Sequence, residues 1–178
     1  LWEWDQGTNA WSQKADFPPG ARLGAVGFSI GTKGYIGTGS DGAFTPVLFK
    51  DLWEWDQGTN TWTQRTSMPA AASARHAAVG FSIGTKGYIG TGIGGSTLND
   101  FWEWDHATDT WTARANFTGS ARAIAVGFSI PSIGKGYIGT GISTIAPLSD
   151  FREWDQASNT WTIKSPLTAT GRIEATGF

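Results

Sequence analysis

Trp53-Glu54-Trp55-Asp56-Gln57-Gly58-Thr59-Asn60-Thr61-Trp62 is the stretch that decides the fold, because the chain repeats it. Trp-Glu-Trp-Asp stands at Trp2–Asp5, Trp53–Asp56 and Trp102–Asp105, and a fourth copy reads Arg152-Glu153-Trp154-Asp155, at offsets of 51, 49 and 50 residues. A further Trp follows each copy, at Trp11, Trp62, Trp111 and Trp161. Gly-Tyr-Ile-Gly-Thr-Gly recurs at Gly34–Gly39, Gly87–Gly92 and Gly136–Gly141, and Arg22, Arg75, Arg122 and Arg172 each precede a Gly-Phe pair. Self-similarity at one long period marks a repeat architecture in which neighbouring units bury each other's apolar faces. All 11 Trp and all three Tyr fall at these registers, so the aromatics are expected to pack between units.

Each unit holds four strand-like pieces, labelled a to d. In the third, strand a is Ala123–Ile130, where Ile124, Val126, Phe128 and Ile130 alternate with other residues. That period of two marks a half-buried strand. Strand b is Lys135–Gly141, strand c is Asp150–Asp155 and strand d is Thr160–Lys164. In the second copy of strand c, Trp53 and Trp55 share one face and Glu54 and Asp56 the other, as the strand period requires. Gly31-Thr32-Lys33-Gly34 and Asp56–Thr61 are rich in turn formers. No helical pattern of useful length occurs.

Composition agrees. The 178 residues are enough for one domain, and 25 Gly with 11 Trp suits short strands joined by tight turns. The net charge of −2 supplies no basic field for nucleic acid or an anionic membrane. With no Cys, disulfides, thiolate metal sites and a cysteine nucleophile are excluded. No stretch approaches the ~20 apolar residues of a membrane-spanning helix.

The run Arg–x–Gly-Phe, Gly-Tyr-Ile, Leu-x-Asp, Trp-Glu-Trp-Asp and Asn-Thr-Trp resembles the Kelch motif over nearly the whole chain. It is most similar to Kelch-containing secreted and surface proteins of bacteria. One departure is Gly37-Thr38-Gly39, where Kelch repeats usually carry a Gly-Gly doublet. The resemblance implies an all-β, Kelch-type β-propeller and an extracellular or cell-surface location. Function is less defined, since Kelch propellers include binding scaffolds, oxidases and sugar isomerases.

The expected organisation is a single Kelch segment. It has a partial unit over 1–15, units over about 21–65, 74–115 and 121–164, and a partial unit over 172–178. That makes 15 strands, with a last strand a at Arg172–Phe178. Three complete units are too few to close a six- or seven-bladed ring of the kind the resemblance implies. The rest of the propeller is expected from a longer chain, from a second copy, or from pairing of Leu1–Ala15 with Arg172–Phe178.

Alternating strand directions put the a–b and c–d turns on one rim and the b–c and d–a loops on the other. The c–d turns are nearly identical between units, whereas the b–c loops Ser40–Lys50, Ile93–Asn99 and Ile142–Ser149 differ in length and chemistry. Binding is expected on the divergent rim. Candidate contacts are Asp41, Phe44, Phe49 and Lys50 in the first loop and Thr97 and Asn99 in the second. Arg22, Arg75, His76 and Arg122, at the entrance of strand a, complete the set. For Phe44 and Phe49 the alternative is packing of the loop against its neighbour.

Other groups have structural readings. Asp5, Asp56, Asp105 and Asp155 open c–d turns and are expected to accept the turn's own N–H groups. Glu3, Glu54, Glu103 and Glu153 are expected to form a repeated layer with Arg22, Arg75, Arg122 and Arg172, the alternative being a ring of Arg facing a channel. His76 and His106 should lie on opposite rims, which argues against a shared metal or acid–base site. Gly90–Gly95 satisfies G-x-G-x-x-G, but a strand follows it rather than the helix a dinucleotide site needs. Asn116-Phe117-Thr118 is a glycosylation sequon. A copper oxidase of the Kelch kind needs a Cys–Tyr crosslink that this chain cannot make.

The sequence therefore points to a non-catalytic binding or scaffold module without cofactor. Its partner would be protein or glycan, and it would belong to a larger secreted or surface protein. The alternatives are a fragment of a carbohydrate-active, sugar isomerase-like enzyme and a purely structural component of an assembly.

Overall fold

The structure is a computed structural model and describes residues 1–177. Among the described residues fourteen strands form four antiparallel sheets. The first sheet pairs β1 (Trp2–Asp5) with β2 (Ala10–Gln13). The second runs β3 (Val26–Ile30), β4 (Lys33–Gly37), β5 (Leu52–Asp56), β6 (Thr61–Arg65). The third runs β7 (Val79–Ile83), β8 (Lys86–Gly90), β9 (Phe101–Asp105), β10 (Thr110–Arg114). The fourth runs β11 (Val126–Ile130), β12 (Lys135–Gly139), β13 (Phe151–Asp155), β14 (Thr160–Lys164). Each four-stranded sheet is a simple meander, and the sheets follow one another in a β-propeller-like arrangement. The only helical element among the described residues is a 3₁₀ turn, Pro131–Ile133, in the a–b connection of the fourth sheet.

Three sequence expectations are corrected. Strand a is shorter than Ala123–Ile130, because Ile124 sits at φ 54° and cannot continue a pleat. Strand b ends at Gly139, because Thr140 and Gly141 take φ 58° and 87°. Residues 172–177 form no fifteenth strand; Arg172 makes an isolated bridge to Leu148 and accepts from Gly141 N, and Phe178 lies outside the described residues.

The sheets bury opposite faces on each other. Val26 and Phe28 of β3 press on the third sheet, where a Cβ at Gly80 would lie 2.8 Å from Val26 and one at Gly87 only 2.5 Å from the Phe28 ring. Val79 and Phe81 repeat this contact on Gly127 and Gly136, at 2.8 and 2.5 Å. Glycine is needed at these positions for close approach, so the recurring Gly of strands a and b are packing residues. Around them Trp104 and Trp154 are fully buried, with Tyr35, Tyr88, Leu52 and Ile138. Burial of the aromatics is uneven, however. Trp2, Trp4 and Trp11 of the first sheet are 59%, 47% and 66% exposed.

A polar clamp recurs at the outer edge. Trp62 Nε1 donates to Ala15 O at 3.0 Å while Asn60 Oδ1 accepts from Ala15 N at 2.8 Å. Trp111 and Asp109 hold Thr66 in the same way, and Trp161 and Asn159 hold Ala115. The Asn/Asp-Thr-Trp signature thus satisfies one backbone donor and one acceptor of the preceding sheet. On the inner side, Ser82 Oγ donates to Ser29 O and Ser129 Oγ to Ser82 O, at 2.6 and 2.7 Å. These bonds tie β3, β7 and β11 together.

Candidate functional site

The b–c and d–a loops share one rim, and the first b–c loop stands out on it. Asp41 Oδ1 accepts from Ala43 N at 3.1 Å and Val47 N at 3.0 Å, and Asp41 N donates to Val47 O. Ser40 bridges both Leu23 and Leu48, which pins the loop base to strand a. This short braced loop carries Phe44 at its tip, fully exposed, with Val47 and Leu23 also largely exposed nearby.

The other candidates of this loop turn inward. The Phe49 ring lies 4.5 Å from the Arg22 guanidinium, and Phe17 covers Arg22 from 4.7 Å. Lys50 Nζ reaches Pro69 O at 3.4 Å. In the second loop Thr97 bridges Ile93, and the exposed Asn99 accepts from Phe117 N through its backbone carbonyl. His76 is half-buried and pairs its backbone with Ile93.

The repeated Arg residues do not meet the repeated Glu residues, which corrects the expected layer. Arg22 binds Asp51 through both carboxylate oxygens, at 2.7 and 3.0 Å, and also donates to Thr38 O. Arg75 does the same with Asp100, at 2.5 and 2.6 Å, and with Thr91 O. Arg122 is held by Asp150 and Thr140 O. The side chains of Arg75 and Arg122 have no exposed surface. Burial pushes the Asp100 carboxyl up, but the Arg75 guanidinium outweighs it and leaves the pKa below the usual carboxylate range. The three carbonyls bound by Arg belong to Thr38, Thr91 and Thr140, all at φ near 58–59°. Each Arg thus stabilises a strained turn that ends strand b. The inner wall beside β3, β7 and β11 is lined instead by Ala, Val, Gly, Phe, Ser and Thr, so no ring of Arg faces it among the described residues. Arg172 is exposed.

The Glu residues stand at the middle of strand c, each directly across from the strand-b Tyr. Tyr35 donates to Glu54 at 2.8 Å, and Arg65 binds the same carboxylate at 2.8 and 3.0 Å. Burial raises the Glu54 pKa, but the Arg65 and Tyr35 hydrogen bonds prevail and hold it low. Burial and the adjacent carboxylate push Tyr35 and Tyr88 upward. Glu103 is bound by Tyr88 and Arg114, and Glu153 by Tyr137 and Lys164. His106 Nδ1 lies 3.0 Å from Tyr35 Oη, in the register where Gln156 donates to Tyr88 Oη at 2.8 Å. His76 and His106 occupy different rims. No group of three or more His, Asp or Glu side chains placed to hold a metal occurs among the described residues. Asp5, Asp56, Asp105 and Asp155 each accept backbone N–H groups of their own turns.

Sequence reasoning missed Asp51, Asp100 and Asp150 as partners of the Arg residues. The Leu-x-Asp element at Leu98–Asp100 and Leu148–Asp150 was their visible trace.

Neither a family model nor a curated protein matches the sequence. Solved structures do match it, 171 chains in all. One is the structure of YjhT, with a TM-score of 0.78 at 17% identity over 92% of this chain. The chain spans 58% of that structure's length. At such identity the likeness concerns the fold alone.

Proposed function

We propose that the protein is a Kelch-type β-propeller segment that acts as a non-catalytic binding module. It presents its b–c and d–a loops to a protein or glycan partner as part of a larger secreted or cell-surface bacterial protein. The observation that carries this reading is Phe44, a fully exposed aromatic at the tip of a loop braced by Asp41. A braced loop backbone loses less conformational freedom on binding, and exposed aromatics anchor interfaces. The alternative of a sugar isomerase-like enzyme needs polar groups free to meet a substrate. Arg75 and Arg122 are buried and already paired with Asp100 and Asp150, which favours the binding reading.

The test is a screen of the chain against a glycan array and a displayed peptide library, repeated with Phe44→Ala. The expected result is a ligand whose affinity falls at least about tenfold in the variant, about 1.4 kcal/mol, with an unchanged melting temperature. Ligands that bind both proteins equally would reject Phe44 as the anchor.

A further inference from the structure

The fourth sheet breaks the repeat in strand c. Arg152 stands where the other copies carry Trp2, Trp53 and Trp102. Trp53 and Trp102 each donate a neutral indole N–H to the Asp two residues before them, at 2.8 and 2.7 Å. Asp51 and Asp100 therefore balance one guanidinium apiece, from Arg22 and Arg75. Asp150 faces two. Arg122 holds it at 2.7 Å, and Arg152 Nε lies 3.4 Å away. We propose that Arg152 and its neighbour Ile163 form a site for the C-terminal residue of a protein partner. The free carboxylate would sit on Arg152 and Thr118, and an apolar side chain would sit against Ile163.

The cation is under-used and fixed in place. Arg152 Nη1 reaches Thr118 Oγ1 at 3.5 Å, the limit of a hydrogen bond, and its Nε is buried without a hydrogen-bond partner. Arg75, by contrast, is saturated by Ser73 O, Thr91 O and Asp100. A guanidinium with donors to spare presents a planar fork that fits a carboxylate. A Cβ at Gly119 would lie 2.9 Å from Arg152 Nε and 2.8 Å from Arg122 Nη2, so the d–a loop backbone is seated on both groups. The buried Phe117 ring lies 5.8 Å from Arg152 Cζ. Thr118 is exposed and Arg152 only half-buried, which leaves the site open to a partner.

The apolar half lies next to it. Ile163 of β14 pairs directly with Arg152 of β13 and shares its face. It is 71% exposed, whereas the matching residues of the other units are Gln13, Gln64 and Ala113. Cross-strand neighbours hold their Cβ atoms about 5 Å apart. A C-terminal residue carries its carboxylate and its side chain on one Cα, which suits that spacing. An internal Asp or Glu places the apolar group on a different residue, and a sugar acid has no aliphatic side chain for Ile163. Capture of a chain terminus is a recurrent mode of peptide recognition. The site lies between two four-stranded sheets, on their outer strands, and does not rest on Phe44.

The probe is acetyl-Ala-Ala-Leu with a free carboxyl terminus, titrated into the 178-residue chain and followed by NMR at the Gly119 amide. Saturable binding is expected. The same peptide ending in an amide, and acetyl-Ala-Ala-Gly with a free carboxyl, should each bind at least about tenfold more weakly. Arg152→Trp restores the residue of the other units and should abolish binding with an unchanged or raised melting temperature. Ile163→Gln should weaken binding about tenfold. Phe44→Ala should leave it unchanged, so that failure of this site and failure of the loop are read separately. No saturable binding, or equal binding by the amidated peptide or by Arg152→Trp, would overturn the proposal. Undiminished binding by Ile163→Gln would overturn its apolar half. Tighter binding of acetyl-Leu-Asp-Leu-amide would give the site to an internal acid, and tighter binding of oligogalacturonate would give it to a glycan; either would overturn the assignment to a chain terminus.

Discussion

Trp104 of strand c and Trp11 of strand d both belong to the repeat pattern but have different physical surroundings. Trp104 is fully buried against Tyr35 and donates its indole N–H to Asp109 at 2.9 Å, whereas Trp11 is 66% exposed. Trp104→Ala should cost about 3–5 kcal/mol in chemical denaturation, and Trp11→Ala less than about 1 kcal/mol. A small loss at Trp104 would mean that the sheet interface does not depend on it. Asp41→Ala removes two capping hydrogen bonds in an exposed loop. The expected loss is about 0.5–1 kcal/mol by equilibrium unfolding, and a loss above about 2 kcal/mol would show that the loop braces more than itself.

At the scale of elements, the buried Arg–Asp pairs hold the ends of strand b. Arg75→Ala leaves the partly buried Asp100 without its cation, empties the fully buried Arg75 site and releases the carbonyl of Thr91 from its donor. Breaking such a pair costs about 3–5 kcal/mol, readable as a drop in denaturation midpoint. Much of this architecture was legible beforehand. The strand order, the turns opened by Asp and the division into two rims follow from period-two alternation and the repeat. The partners of Arg22, Arg75 and Arg122 were not, because Asp51, Asp100 and Asp150 lie 29, 25 and 28 residues away along the chain. The repeated Glu three residues further on offered an equally charged and wrong alternative. Side-chain direction decides between them. Glu54 lies mid-strand, across from Tyr35 and Thr63 and within reach of Arg65, while Asp51 precedes strand c at its b–c end, where it meets Arg22.

Over the whole molecule, acid and alkali should act on different groups. Asp100 and Glu54 have folded pKa values below the ordinary range, so their contribution is full above the unfolded value near pH 4. It is lost as pH falls through the lower folded values. Tyr35 and Tyr88 are raised, so their contribution is full below about pH 10 and is lost as pH rises. A stability plateau between these limits, measured by denaturant midpoint against pH, is the expected outcome. A continuous slope across neutral pH would contradict it. Protection against hydrogen exchange should also be graded. The third sheet packs on neighbours through both faces, while β1 and β2 expose three Trp. Amides of β7–β9 should therefore exchange last and those of β1 and β2 among the first.

By itself the sequence determined the sheets. Alternation, Gly and Asp at turns and a fifty-residue period are local or periodic properties, and they suffice to place strands and pair neighbours. Only the tertiary structure decided which repeated residues are equivalent in energy as well as in register. Identical Trp and Gly positions differ because each needs a neighbouring sheet to cover it. The covered Gly87 and the open Gly34 read the same in the chain and are told apart by what lies beyond them.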